Sequence, residues 1–278
     1  QFLGNIRECD AIIHVLRCFD NGNITHVDGS IDPVRDKGII DTELQLKDLE
    51  TIEARLAKTQ KQATSGGDKN AKRQVELLLQ YKSVLEQGLS ARTVELDKED
   101  RKLVADLNLL TDKPVLYVCN VDEKSAATGN AHTEAVRAAI ADEKAEMLII
   151  AAATEADIAE LESYEERQLF LEDLGLKESG VARLIKSAYK LLSLETFFTT
   201  GADETRAWTY SRGMKAPQTA GVIHTDFEKG FIRAEVIKYA DYVSLGSEKA
   251  CRDAGKIGIE GKEYIVQDGD IMHFLFNV

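Results

Sequence analysis

The sequence contains no Gly-x-x-x-x-Gly-Lys-[Ser/Thr] run. The nearest miss, Gly261-Lys262, is followed by Glu263 and has no glycine five positions before it, so these residues supply no backbone cradle for phosphates. No apolar stretch approaches the roughly 20 residues that cross a bilayer, and no membrane partner is expected. Cys9, Cys18, Cys119 and Cys251 form no C-x-x-C pair and no disulfide framework. Their apolar or helical settings read as reduced, buried thiols of a cytosolic protein. His14, His26, His132, His224 and His273 show no metal spacing with each other or with cysteine, so no metal ligand is named. A net charge of −13 argues against a generally basic nucleic-acid binder.

The most informative residues present are Val115-Leu116-Tyr117-Val118-Cys119-Asn120-Val121-Asp122-Glu123. An apolar run after Pro114 reads as a buried parallel strand that ends on Asn120, with a polar loop behind it. P-loop GTPases place Asn-Lys-x-Asp at such a strand end, where the Asp accepts two hydrogen bonds from guanine. Here Val121 stands at the Lys position and Glu123 at the Asp position. Adenine offers no donor pair on that edge, and a longer, displaced carboxylate breaks the guanine fit. The pattern reads as a base pocket no longer built for guanine.

Strand, loop, helix recurs around this run. Residues 131–143 read as a helix, 147–151 as a second buried strand, and 100–111 as a helix leading in. Such alternation is the pattern of a parallel α/β sheet, whose ligands sit at the carboxyl ends of the strands. Asn120 and Ala153 fall at those ends. Residues 164–174 and 181–192 are amphipathic and predicted helical.

Leu49, Ile52 and Leu56, then Val75, Leu78, Tyr81, Leu85 and Leu89, follow helical spacing on either side of Thr64-Ser65-Gly66-Gly67-Asp68. This predicts an antiparallel helical hairpin. Its tip carries Arg55, Lys58, Lys61, Lys69, Lys72 and Arg73 against one acid, Asp68. In an acidic protein, that concentration reads either as a solvated face or as a probe for RNA phosphates. After Leu192 the pattern shortens. Strands are predicted at 194–200, 207–211, 231–237, 263–266 and 271–277, with helical turns near 239–254, as a small α+β domain.

The chain opens on Gln1, and a helix end (Phe2, Leu3, Ile6) runs straight into the apolar strand 11–16. A lone strand cannot bury itself, so further residues are expected upstream.

Together these segments closely resemble the YchF / Obg-like ATPase family of translation-associated P-loop NTPases. The specific stretches are Gln1–Glu8, Asn120–Glu123, Ala156–Leu161, His224–Arg233 and Asp268–Val278. The resemblance implies an α/β fold: a partial P-loop G domain (1–45 and 100–193), an inserted helical hairpin (46–99) and a C-terminal β-grasp TGS domain (194–278). It implies a monomeric, cytoplasmic, ribosome-associated ATPase that prefers ATP to GTP. Asn120, Val121 and Glu123 would carry that preference, Ala153 would approach the base through its backbone from the loop after the next strand, and Phe19 would stack near adenine. His26, an exposed loop residue on its own reading, would position the attacking water in place of the usual Gln. Mg²⁺ ligands and the P-loop are expected in the upstream segment, so this stretch alone is expected to be inactive. Lys58, Lys61, Lys69, Lys72, Arg73 and the TGS domain would contact ribosomal RNA. The competing expectation is a non-catalytic ribosome or RNA adaptor with a nucleotide-sensing pocket.

Overall fold

The structure, a computed structural model, describes residues 2–65, 68–143, 145–201 and 204–277. The chain divides into two compact units, Gln1–Ala188 and Tyr189–Val278.

The first unit is built on a three-stranded parallel sheet in the order β1-β2-β3: β1 (Ile12–Arg17), β2 (Val115–Asn120) and β3 (Glu146–Ile150). Short α1 (Phe2–Arg7) precedes β1. Between β1 and β2 lie α2 (Pro33–Ser65), α3 (Lys69–Glu86) and α4 (Lys98–Val104). Then come α5 (Ala131–Ala139) before β3, and α6 (Ala152–Glu160), α7 (Tyr164–Asp173) and α8 (Gly180–Leu191) after it. Val115 to Cys119 are all buried, as expected of a central strand covered on both faces. On one face Leu16, Cys18, Tyr117 and Cys119 pack against Val136 and Ile140 of the α5 region. Cys18 and Cys119 are buried as expected, but Cys9 is exposed, because it follows α1 in a surface turn. His14 is half-buried, its ring 5.6 Å from that of Tyr117, and burial pushes its imidazole below the usual range.

α2 and α3 pack along each other through Ile52, Leu77, Leu78, Tyr81 and Leu85, with Leu49 and Leu56 alongside. The glycines of the expected turn, Gly66 and Gly67, lie outside the described residues. Asp68 caps α3 by accepting from the Asn70 amide at 2.9 Å.

The position 45/46, expected as a domain boundary, falls inside α2. One helix runs through it because it is anchored on both sides. Lys37, with a side chain 9 % exposed, donates to Asp41 Oδ2 (2.6 Å) and Glu143 Oε1 (2.5 Å). The Tyr117 hydroxyl donates to Glu143 Oε2 at 2.7 Å. Eleven residues on, fully buried Asp48 accepts from the Leu110 amide (2.8 Å), the Thr111 amide (2.7 Å) and the Thr111 hydroxyl (2.8 Å). The helix predicted over 100–111 is shorter: α4 passes into a 3₁₀ turn that stops at Asn108, whose φ is +46°.

The second unit is a mixed five-stranded sheet, ordered β5-β4-β8-β6-β7. Its strands are β4 (Leu194–Thr200), β5 (Thr205–Ser211), β6 (Phe231–Ile237), β7 (Ile257–Glu260) and β8 (Ile271–Phe276). Phe197, Tyr210, Phe231, Met272 and Phe274 on one face meet Ala216 and Ala220 of α9 (Ala216–Ile223), which α10 (Thr225–Lys229) follows. On the other face Ile237 and Ile271 meet Cys251, with Tyr242 alongside, from α12 (Glu248–Asp253) and α11 (Tyr239–Leu245). The strand expected at 263–266 is instead a single bridge, Lys215 to Ile265. The strand that forms is β7, four residues pairing with β6. At Gly230, where α10 turns into β6, a Cβ would lie 2.0 Å from the Asn277 carbonyl oxygen, so only glycine fits.

Candidate functional site

The three parallel strands end in register, Arg17 beside Asn120 and Asn120 beside Ile150. Their tips are tied together beyond the ladder. The Cys18 amide donates to the Asn120 carbonyl (2.7 Å) and the Val121 amide to the Ile150 carbonyl (2.9 Å).

α6 begins two residues after β3. Its N-cap, Ala151, has no side-chain acceptor to offer. The Asn120 side chain takes over part of that task, its Oδ1 accepting from the Ala152 amide at 3.0 Å. Ala153, expected in a loop, therefore sits in the first turn of α6. It is exposed, and its amide belongs to the set that has no intrahelical acceptor. A helix start of this kind presents backbone donors to a ring nitrogen or carbonyl.

Val121 is 3 % exposed and packs with Ala126, Val136 and Ala151. Its side chain is floor rather than open shelf. Asp122 accepts from the Ser125 amide (3.0 Å) and caps the 3₁₀ turn Glu123–Ser125. Glu123 opens that turn with its side chain exposed.

Two residues that the sequence did not single out brace the rim. Asn130 caps α5 through the amides of His132 and Thr133 (3.0 and 3.1 Å), and its Nδ2 donates to the Cys18 carbonyl at 2.7 Å. Arg17 donates to the carbonyls of Phe19 (3.3 Å), Ile24 (3.1 Å) and Asn21 (3.3 Å). Its guanidinium also lies 4.9 Å from the Phe19 ring centroid, so that half-buried ring is held by a cation from its own strand.

His26 lies in the loop that Arg17 gathers. Its Nε2 is 2.9 Å from Asp36 Oδ2 on the first turn of α2, and its Nδ1 accepts from the Asp28 amide at 3.1 Å. The side chain is 17 % exposed, so it is no freely dangling loop residue.

The YchF-GTPase_C family model, described as a protein of unknown function (DUF933), matches residues 194–277. The solved structure of the Schizosaccharomyces pombe YchF GTPase superposes with a TM-score of 0.87 at 34% identity, over 99% of this chain and 74% of that one. The chain is 50% identical over 280 residues to the Bacillus subtilis (strain 168) protein named Ribosome-binding ATPase YchF, covering 100% of this chain and 76% of that relative. The chain belongs to the YchF / Obg-like ATPase family. Homo sapiens Obg-like ATPase 1 is 45% identical over 282 residues, covering 99% of this chain and 70% of its own length. The α/β reading of the fold agrees with the YchF structure, its parallel sheet matching a G domain and its mixed sheet a C-terminal domain.

In this YchF-family chain the basic hairpin tip divides in two. Lys58, Lys61, Lys69 and Lys72 are exposed. Arg73 is exposed too but is committed to ion pairs on the surface, donating to Asp100 Oδ1 (2.9 Å), Asp100 Oδ2 (2.6 Å) and Glu76 (2.6 Å). Its guanidinium holds the Asp100 carboxyl below the ordinary range. Arg55 is likewise paired with Asp106. Arg73 thus ties α3 to α4 through Asp100, an engagement it would have to share with any phosphate contact.

Among the described residues, one group of His and carboxylate ligand atoms comes within 4.8 Å: His26, Asp28 and Asp36. It does not suit Mg²⁺, which takes oxygen ligands and keeps several waters. Both imidazole nitrogens are engaged, and Arg35 reaches both carboxylates, Asp28 at 3.6 Å and Asp36 at 3.1 Å. No helix of the described residues is long and apolar enough to cross a membrane.

Proposed function

We propose that the chain carries the adenine pocket and the water-positioning loop of a ribosome-associated ATPase that splits ATP into ADP and phosphate and acts in the regulation of translation. The observation that carries this reading is the joint at Asn120. One side chain ties the tip of β2 to the start of α6, at the carboxyl ends of the strands, the end at which α/β sheets take ligands. Backbone donors suit a purine's ring nitrogens, and buried Val121 supplies an apolar floor. Glu123 stands on the 3₁₀ turn with a longer reach than the Asp that reads guanine, which disfavours GTP. The relatives named as ribosome-binding ATPases support both halves of the reading. A ribosome partner also supports a cytoplasmic location. Mg²⁺, when bound with the nucleotide, would neutralise phosphate charge. His26 and the exposed hairpin lysines are proposed for water and for ribosomal RNA.

The test is nucleotide competition on the purified protein, with any residues that precede Gln1 included. Glu123→Asp should raise GTP affinity relative to ATP. An unchanged ATP:GTP ratio would remove Glu123 from the pocket. Val121→Lys is the less clean probe, because it forces an ammonium stem into a buried position.

A second reading is a non-catalytic ribosome or RNA adaptor that senses nucleotide. It draws on one observation, that both nitrogens of His26 are already hydrogen-bonded. Single-turnover ATP cleavage by the wild type, lost in His26→Ala, would eliminate it.

A further inference from the structure

The hydrogen bonds around His26 fix more than its position. A backbone N–H can only donate, so the Asp28 amide at 3.1 Å requires a lone pair on Nδ1. Nε2 must then carry the proton, and it donates to Asp36 Oδ2 at 2.9 Å. This hydrogen-bond pattern is that of the Nε2–H tautomer.

Asp36 is itself held. Its Oδ1 accepts from Arg35 Nε (3.2 Å) and Nη2 (3.1 Å). It rides on the first turn of α2, which Asp32 caps through the amides of Val34 (3.1 Å) and Arg35 (3.0 Å). The group on the other nitrogen is held by fewer contacts. Asp28 pairs with Arg35 at 3.6 Å and the Gly29 amide closes the turn onto the His26 carbonyl at 3.1 Å, while Val27 between them is 100 % exposed. The charged groups that face the imidazole in the structure are Asp36, Asp28 and Arg35.

Resting on the reading of His26 as the residue that positions water, we propose that Asp36 is its positioning residue. Asp36 keeps the proton on Nε2 and leaves Nδ1 as the acceptor for the attacking water, a place the Asp28 amide fills in this conformation. Exchange of that amide for water needs only residues 27–28 to move, while Asp36 on α2 keeps the imidazole aimed. No proton need pass to His26 at this stage. Its lone pair orients the water, and phosphoryl transfer depends chiefly on such placement.

The test combines a spectroscopic readout with turnover. Long-range ¹H–¹⁵N correlation spectra of the imidazoles, with His26→Ala as the assignment control, should give the Nε2–H form for His26 in the purified chain. In Asp36→Asn the carbonyl stays with Arg35 and the amide turns to Nε2, so the proton should move to Nδ1. Asp36→Glu should keep it on Nε2. With any residues preceding Gln1 included, Asp36→Asn should lower kcat for ATP by at least about tenfold at unchanged KM, and Asp36→Glu should recover most of it. A merely structural Asp36 would change the melting temperature without moving the proton. The inference is overturned if Asp36→Asn keeps the Nε2–H form, or if its kcat stays at the wild-type value while His26→Ala is impaired. Wild-type turnover in His26→Ala would instead remove the role of His26 itself, and Asp36's with it.

Discussion

Asn120 at the tip of β2 accepts a hydrogen bond from the amide of Ala152, the first residue of α6, at 3.0 Å. The bond spans two strands of the sheet and substitutes for the cap that Ala151 cannot supply. In the proposed pocket, fold stability and nucleotide binding would share this one side chain. Asn120→Ala should cost about 1 kcal/mol in chemical denaturation and also weaken ATP binding. Asn120→Asp, which keeps the acceptor, should retain most of the stability. Separate measurement of both quantities checks that the two losses have one origin.

Lys37 holds Asp41 and Glu143 together beneath the Tyr117 ring. Lys37→Met would leave two half-buried carboxylates facing each other without their shared cation. A loss of roughly 3 kcal/mol is expected in equilibrium unfolding. Adding Glu143→Gln should restore part of it, which a double-mutant cycle would read as coupling.

Asp48 gives a pH signature. Burial pushes its carboxyl above the usual range, against the donors from Thr111 and Leu110. The folded chain therefore binds this proton more tightly than the unfolded one. Its contribution is fully present below the ordinary value of 3.8 and is lost as pH rises through the raised folded value. The stability advantage of wild type over Asp48→Asn should shrink with rising pH across that window. An advantage that grows instead would mean that the three donors outweigh desolvation.

The hairpin lysines should separate from Arg73 in a ribosome-binding assay across salt. Replacing Lys58, Lys69 and Lys72 with Gln should leave stability within about 0.5 kcal/mol of wild type. Binding should weaken, and the log–log salt slope should fall by about 0.7–0.9 for each lost phosphate contact. Arg73→Gln should leave the slope nearly unchanged, since its guanidinium is spent on Asp100 and Glu76. An unaltered slope in the lysine variant would remove the tip as a phosphate contact.

The strands of the first sheet were legible because each is a short apolar run with a polar exit, and Asn120 does end one of them, where the candidate pocket is proposed. The start of α6 was not legible. Ala151-Ala152-Ala153 carries no capping side chain, and the residue that serves, Asn120, lies 32 positions away. The same distance effect hid Asn130, whose contact with Cys18 spans 112 residues, and Asp36, which reads as an ordinary helix-start acid until His26 is placed against it. In the second unit, β7 escaped notice because four residues with a central glycine show no alternation to count. The run at 263–266 has the aromatic and β-branched residues of a strand, but Tyr264 turns its hydroxyl to buried Asp270 at 2.6 Å, and one bridge is all that forms.

The most direct measurement is a crystal structure with a non-hydrolysable ATP analogue, grown from protein that includes any residues preceding Gln1. The expected result is adenine over Val121, within reach of Asn120 and the Ala153 amide, with no contact to the Glu123 carboxylate. Adenine bound elsewhere, or a guanine nucleotide seated against Glu123 under competition, would contradict it.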